Sequence, residues 1–200
     1  MGFEEPSPLD AVNQAMLMFI ASLALAEAPP PIIERAVQAA EAKIGTPFRW
    51  GGRDSSKRPG FDCQGIVFVP FGRTLGVSWT RYPWDPSVTV SSGMLGKPVA
   101  GVSGKLRAEV DPNLLRRGDV LYFAIAHLDI DDDALLVRDN VEYRAWHTGL
   151  YVGDGVVLHA DPASTVRTQS LMGISWDALV VTRPTANMPR WSARRDNRDP

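Results

Sequence analysis

Two hundred residues with 44% hydrophobic side chains can bury one substantial core with an appendage, but not two full enzymatic domains. A formal net charge of −2, from 21 Lys and Arg against 23 Asp and Glu, argues against a nucleic-acid binder that works by neutralising phosphates. The single cysteine excludes an internal disulfide and zinc sites built on cysteine pairs, and it leaves the redox compartment open.

Residues 15–26 have the length and tone of a signal-peptide core, yet Glu4, Glu5 and Asp10 precede them without Lys or Arg, and a secretory flank should be positive. Ser7-Pro8-Leu9-Asp10 reads instead as a capped helix start. The apolar run is also short for a stable membrane span. A packed helix is expected over residues 9–27, ended by the stiff Ala28-Pro29-Pro30-Pro31 spacer. A second helix is expected over residues 32–44, with Ile33, Ala36, Val37, Ala40 and Ile44 as its apolar stripe and Gly45 as a left-handed cap.

Residues 46–61 are dense in Gly, Pro and charge and read as loop. Residues 66–69 suit strand or helix, and Pro70 and Gly72 limit any regular element there. A long excursion with short helical turns is expected over residues 76–107. Strands are expected over residues 119–124, 148–152, 156–160 and 179–183, the last closing the sheet. Gly153-Asp154-Gly155 makes a hairpin turn between the second and third. Residues 185–200 are polar and arginine-rich and read as a loose tail. The resulting division is an N-terminal helix and spacer (1–31), one α+β domain (32–184) and the tail (185–200), with a nucleophile helix packed on an antiparallel sheet.

Cys63 sits in Gly60-Phe61-Asp62-Cys63-Gln64-Gly65, and His147 and His159 flank the hairpin. A lone cysteine is more often a small buried hydrophobe than a nucleophile, and a lone histidine is more often a core or turn residue. Together they are the raw material of a cysteine hydrolase. Asp62 can cap a helix whose first turn holds Cys63, and a partner imidazole can draw off the proton; both favour a thiolate. Counting through a turn centred on Asp154 pairs 149 with 159 and 147 with 161. The two histidines are then diagonal neighbours on one face, where His159 can orient His147 as a third group does in serine proteases.

The ordered set of motifs resembles the NlpC/P60 superfamily of papain-like cysteine peptidases. The matching pieces are Gly45-Thr46-Pro47-Phe48-Arg49-Trp50-Gly51-Gly52, Gly60 to Val67 around the cysteine, Leu115-Arg116-Arg117-Gly118-Asp119-Val120-Leu121-Tyr122-Phe123, His147 to Gly155, and Leu158-His159-Ala160. The resemblance implies a papain-like fold, with Cys63 as nucleophile, His147 as general base, His159 as orienting residue and the Cys63 amide as oxyanion donor. It also implies hydrolysis of a bacterial peptidoglycan peptide, typically at the bond between γ-D-glutamate and diaminopimelate. Two positions depart from the usual pattern: Phe48 stands where the family has tyrosine, and Gln64 where it has serine.

Phe48, Trp50, Gln64, Trp79, Trp84 and Trp146 are candidates for the substrate cleft, although most aromatics in such loops are anchors. Asp129, Asp131, Asp132 and Asp133 suggest a solvated acidic turn rather than a calcium loop, which would need a central glycine and a terminal bidentate acid. Neither metal nor cofactor is expected. Expected partners are the peptidoglycan peptide and a cognate inhibitor or delivery protein. Synthesis in the cytoplasm and action in the periplasm or on the wall, by phage or effector delivery, fits the acidic flank. Two other readings use the same chemistry or fold: an amidase or acyltransferase acting on a lipid, with Phe48, Trp79 and residues 134–137 forming an acyl pocket, and an inactive wall-binding module.

Overall fold

The computed structural model describes residues 28–55, 58–76 and 85–187. The helix expected over residues 9–27, the tail beyond residue 187, and Trp79 and Trp84 lie outside them. Helix α1 (Pro31–Glu41) begins on a proline, whose fixed φ suits the first turn and whose missing amide costs nothing there. Ile33, Ala36, Val37 and Ala40 recur at helical spacing and are buried. The helix stops at Glu41, short of the expected end. The chain turns over residues 42–45, Gly45 takes a φ of +88°, and its amide donates to Val166 O at 2.8 Å. Ile44 is therefore left 52% exposed instead of completing the stripe.

The segment expected as loop contains a small antiparallel hairpin, β1 (Arg53–Ser55) and β2 (Arg58–Phe61). Its composition lacks the alternation that announces a strand, and main-chain contacts hold its end in place. Arg49 N donates to Phe61 O at 2.8 Å, and Phe61 N donates to Pro47 O at 3.2 Å.

Helix α2 (Gly65–Leu75) runs straight through Pro70 and Gly72 and ends at Gly76 in the left-handed region. An interior proline costs about 3 kcal/mol. Burial of Ile66, Val67, Phe68 and Phe71 contributes about 2 kcal/mol each, which outweighs that cost. Among its described residues the following excursion holds a short helix, α3 (Pro86–Ser92), whose cap Asp85 accepts from Ser87 N at 2.7 Å. Two two-residue strands follow, β3 (Lys97–Pro98) and β4 (Lys105–Leu106).

The main sheet adds β5 (Val120–Ala126), β6 (Leu136–Arg138), β7 (Val141–Gly153), β8 (Val156–Ala160), β9 (Val166–Ser170) and β10 (Ala178–Arg183). Its order is β3-β10-β5-β7-β8-β9, with β4 also on β10 and β6 also on β7, and every pairing is antiparallel. The last strand does not close the sheet, because β10 lies between β5 and β3.

Side chains alternate between two cores. Val120, Tyr122, Leu150, Leu158 and Val180 pack with Ile33, Val37, Phe61, Ile66 and Phe71 of the helical layer. Leu121, Phe123, Tyr151, Val157, Leu179 and Val181 pack with Leu171, Ile174 and Trp176 on the other face. Arg117, in the turn before β5, ties the layers together. It bonds Glu34 and Glu41 of α1 and donates to Val152 O at 2.9 Å. Helix against antiparallel sheet is the α+β arrangement expected.

The insert between Phe123 and His147 combines strand with an irregular acidic turn over residues 127–135. It lengthens β5 and β7 and adds β6, and Leu135 and Leu136 pack around Ala124, Tyr143 and Ala178. Leu135 also packs against the first core, as Phe48 does, while Trp79, the third residue of the expected acyl pocket, lies outside the described residues. Asp129, Asp131 and Asp133 are exposed. The half-buried Asp132 carboxyl is pushed above its usual range by burial and by the charges of Asp85, Asp131 and Asp133.

Candidate active site

Cys63 lies in the turn that joins β2 to α2. The Asp62 carboxylate is buried and turned to the backbone: its Oδ1 accepts from Gly65 N at 2.6 Å, while its carbonyl accepts from Ile66 N at 3.1 Å. Asp62 thus holds a first-turn amide as expected, but the helix begins at Gly65 with Gln64 at its N-cap, so Cys63 precedes the helix instead of lying in its first turn. Its other oxygen is held by Arg53 Nη1 at 2.5 Å, and the same nitrogen donates to Gly52 O at 2.8 Å. The loop after Trp50 is thereby drawn so close that a Cβ on Gly65 would collide with the Gly52 carbonyl. Sequence reasoning missed Arg53, because nothing in Gly51-Gly52-Arg53 signals that its partner lies nine residues on.

The histidines come from the β7–β8 hairpin in the register counted from its turn. Leu150 faces Leu158 and Tyr151 faces Val157, and the only adjustment is a bulge before Gly153. His147 Nε2 and His159 Nδ1 stand 2.8 Å apart with their rings nearly perpendicular. Both residues are buried, and His147 Nδ1 and His159 Nε2 have no hydrogen-bond partner among the described residues. Trp146 stacks on His147 at 4.9 Å and anchors itself by donating from Nε1 to Ser175 O at 2.9 Å. This half-buried ring fixes the plane of the imidazole beside the site. The Thr148 amide, next along from His147, points at the Cys63 sulfur, so strand and nucleophile turn meet there.

Burial dominates the charge balance. The Cys63 thiol is pushed up to about 12, by desolvation first and the Asp62 charge second, against the amides of Thr148, Gln64 and Cys63 itself. His147 is pushed down to about 3 by desolvation and then by His159, with Asp161 opposing. His159 is lowered chiefly by burial. The helix tip was expected to favour a thiolate, but Cys63 is half-buried and desolvation outweighs the amides, which favours a neutral thiol beside neutral imidazoles. Such a pair can still perform general-base chemistry, with the proton moving as the sulfur attacks.

The remaining candidates separate by exposure. Trp50 is 72% exposed and meets the partly buried Phe48 edge to face at 5.3 Å. Phe48 packs against the first core, which suits a ring without a hydroxyl. Gln64 is buried at the N-cap of α2, and its carbonyl accepts from Val67 N and Phe68 N. Among the described residues no cluster of His, Cys, Asp or Glu is arranged to hold a metal ion.

The NlpC/P60 family model matches residues 45–183, and the chain belongs to that family. The probable endopeptidase YafL of Escherichia coli K12 is 30% identical over 151 residues, covering 72% of this chain and 46% of that protein. Murein DD-endopeptidase MepH of the same strain is 29% identical over 141 residues, covering 68% and 40%. The chain thus spans less than half the length of these curated relatives. Among solved structures, NlpC2 from Trichomonas vaginalis shares the fold with a TM-score of 0.51 at 21% identity, covering 76% of this chain and 46% of that one.

Proposed function

We propose that this NlpC/P60 domain hydrolyses a peptide bond of bacterial peptidoglycan, with Cys63 as nucleophile, His147 as general base and His159 as the residue that orients it. The observation carrying the reading is the 2.8 Å His147–His159 contact on the strand whose next amide touches the Cys63 sulfur. As the scissile carbonyl arrives, His147 Nδ1 takes the thiol proton while sulfur bonds to carbon. The oxyanion is met by the Cys63 amide. Imidazolium then protonates the leaving amine as the carbon–nitrogen bond breaks, and His147 next activates water to cleave the thioester. This substrate places the site of action in the periplasm or on the wall.

Resemblance to the family favours the γ-D-glutamyl–diaminopimelate bond, whereas the name of MepH favours a DD cross-link. Digestion of defined muropeptides by wild type and C63A, read by mass spectrometry, separates the two. We expect a new amine terminus on diaminopimelate with wild type alone. Cleavage confined to the cross-link would move the bond. Binding without any product would make the domain a wall-binding module.

A further inference from the structure

A hydrogen bond between two neutral imidazoles can be drawn in two senses, and only one of them leaves a base. If His147 Nε2–H donates to His159 Nδ1, then His147 Nδ1 keeps its lone pair and His159 carries its proton on Nε2. If His159 Nδ1–H donates instead, His147 Nδ1 carries a proton and can accept none. The 2.8 Å separation fits either sense. The group opposite His159 Nε2 biases the choice, since an acceptor there selects the first arrangement and a donor the second. That nitrogen is buried and has no partner among the described residues in the resting geometry.

Strand β9 supplies that group. Arg167 lies opposite His159 and Gln169 opposite Val157, which makes Gln169 the diagonal neighbour of His159. The Gln169 amide is held at both ends. Its Nε2 donates to Gly173 O at 2.7 Å, and its Oε1 accepts from Arg167 Nη2 at 2.7 Å. With the nitrogen committed to Gly173, the oxygen is the end carried back toward Arg167 and the His159 row.

We infer that Gln169 is a positioning residue whose Oε1 accepts from His159 Nε2–H, setting both imidazoles in the tautomer that leaves His147 Nδ1 a base. The inference rests on the hydrolase reading for its purpose but on the sheet geometry for its substance. The charged groups around His159 are His147, Asp161 and Arg167; Asp161 and Arg167 form an ion pair at 2.9 Å. Gln169 and Asp161 both act to raise the His159 pKa against burial and Arg167, which is the effect of an acceptor. A side-chain rotation of Gln169 closes this bond in the resting protein, before His147 takes a proton. The relay then aligns Nε2–H of each ring with the next acceptor.

Ring-nitrogen NMR of ¹⁵N-labelled full-length protein at neutral pH tests the tautomers directly, and turnover of a defined muropeptide is followed in parallel. Wild type and Q169E should show both rings protonated at Nε2. Q169L should mix in the Nδ1–H form of His147 and lower kcat about tenfold at unchanged KM, with most of that loss restored in Q169E. Unchanged tautomers in Q169L, or Nδ1–H on His147 in wild type, would overturn the proposal. If wild type hydrolyses no muropeptide while Q169L still switches the tautomer, the role of Gln169 stands and the hydrolase reading falls.

Discussion

The two halves of the site are built by different means. The histidines stand on adjacent strands of a continuous sheet with both faces buried, so their spacing follows from register alone. Cys63 stands on a turn whose shape depends on a capping carboxylate, one guanidinium and a glycine pressed against another segment's carbonyl. A sheet distributes its constraints over many bonds, whereas the turn concentrates them in three residues. Damage to the turn should therefore be the more severe, and most of it should appear at the nucleophile.

The largest contrast is between two glycines. In G65A the new methyl meets the Gly52 carbonyl, which is backbone and cannot step aside. In G149A it meets Val157 Cγ1 at 2.6 Å, a buried side chain that can yield by a small shift in the core, with the Leu158 carbonyl farther off at 3.3 Å. Chemical denaturation should show a loss of about 3 kcal/mol for G65A and about 1 kcal/mol for G149A. Equal losses would remove the distinction between the halves.

Next comes R53M, which strips the partner from a buried carboxylate. A cost of about 2 kcal/mol is expected, discounted because the Arg53 side chain remains partly exposed. The unpaired Asp62 charge should push the thiol further up, so iodoacetamide should label Cys63 more slowly than in wild type at pH 8. The single cysteine makes this readable by intact mass. Faster labelling would contradict the assigned role of Asp62.

A smaller effect belongs to the sheet half and to acid. His147 falls to about 3 in the folded protein from an ordinary value of 6.5, so in that window the unfolded chain binds a proton that the native protein refuses. Stability is complete above pH 6.5 and is lost as pH drops toward 3, approaching about 1.4 kcal/mol per pH unit for this one group. His159 adds in the same direction. Denaturation series between pH 7 and 4 should show a shallower slope in H147Q than in wild type, and identical slopes would refute the buried neutral imidazole.

The same contrast explains what was legible beforehand. The β7–β8 register could be counted because Gly153-Asp154-Gly155 fixes the turn and the side-chain period is two. Cys63 and its cap stood in one short motif. Arg53 and Gln169 were invisible, since each acts on a residue brought near only by folding. Strand β9 was missed because only Val166 among its residues is buried, which leaves no alternation to read. Helix α2 was obscured by Pro70 and Gly72, whose local cost is overridden by buried aromatic rings.

Acyl transfer to one sulfur can be observed directly. Wild-type protein mixed with a diaminopimelate-containing stem peptide, quenched in acid within milliseconds to seconds, should gain the mass of the acyl fragment on the peptide bearing Cys63, and H147A should gain none at neutral pH. Hydrolysis by C63A at the wild-type rate, with no adduct on either protein, would contradict the account.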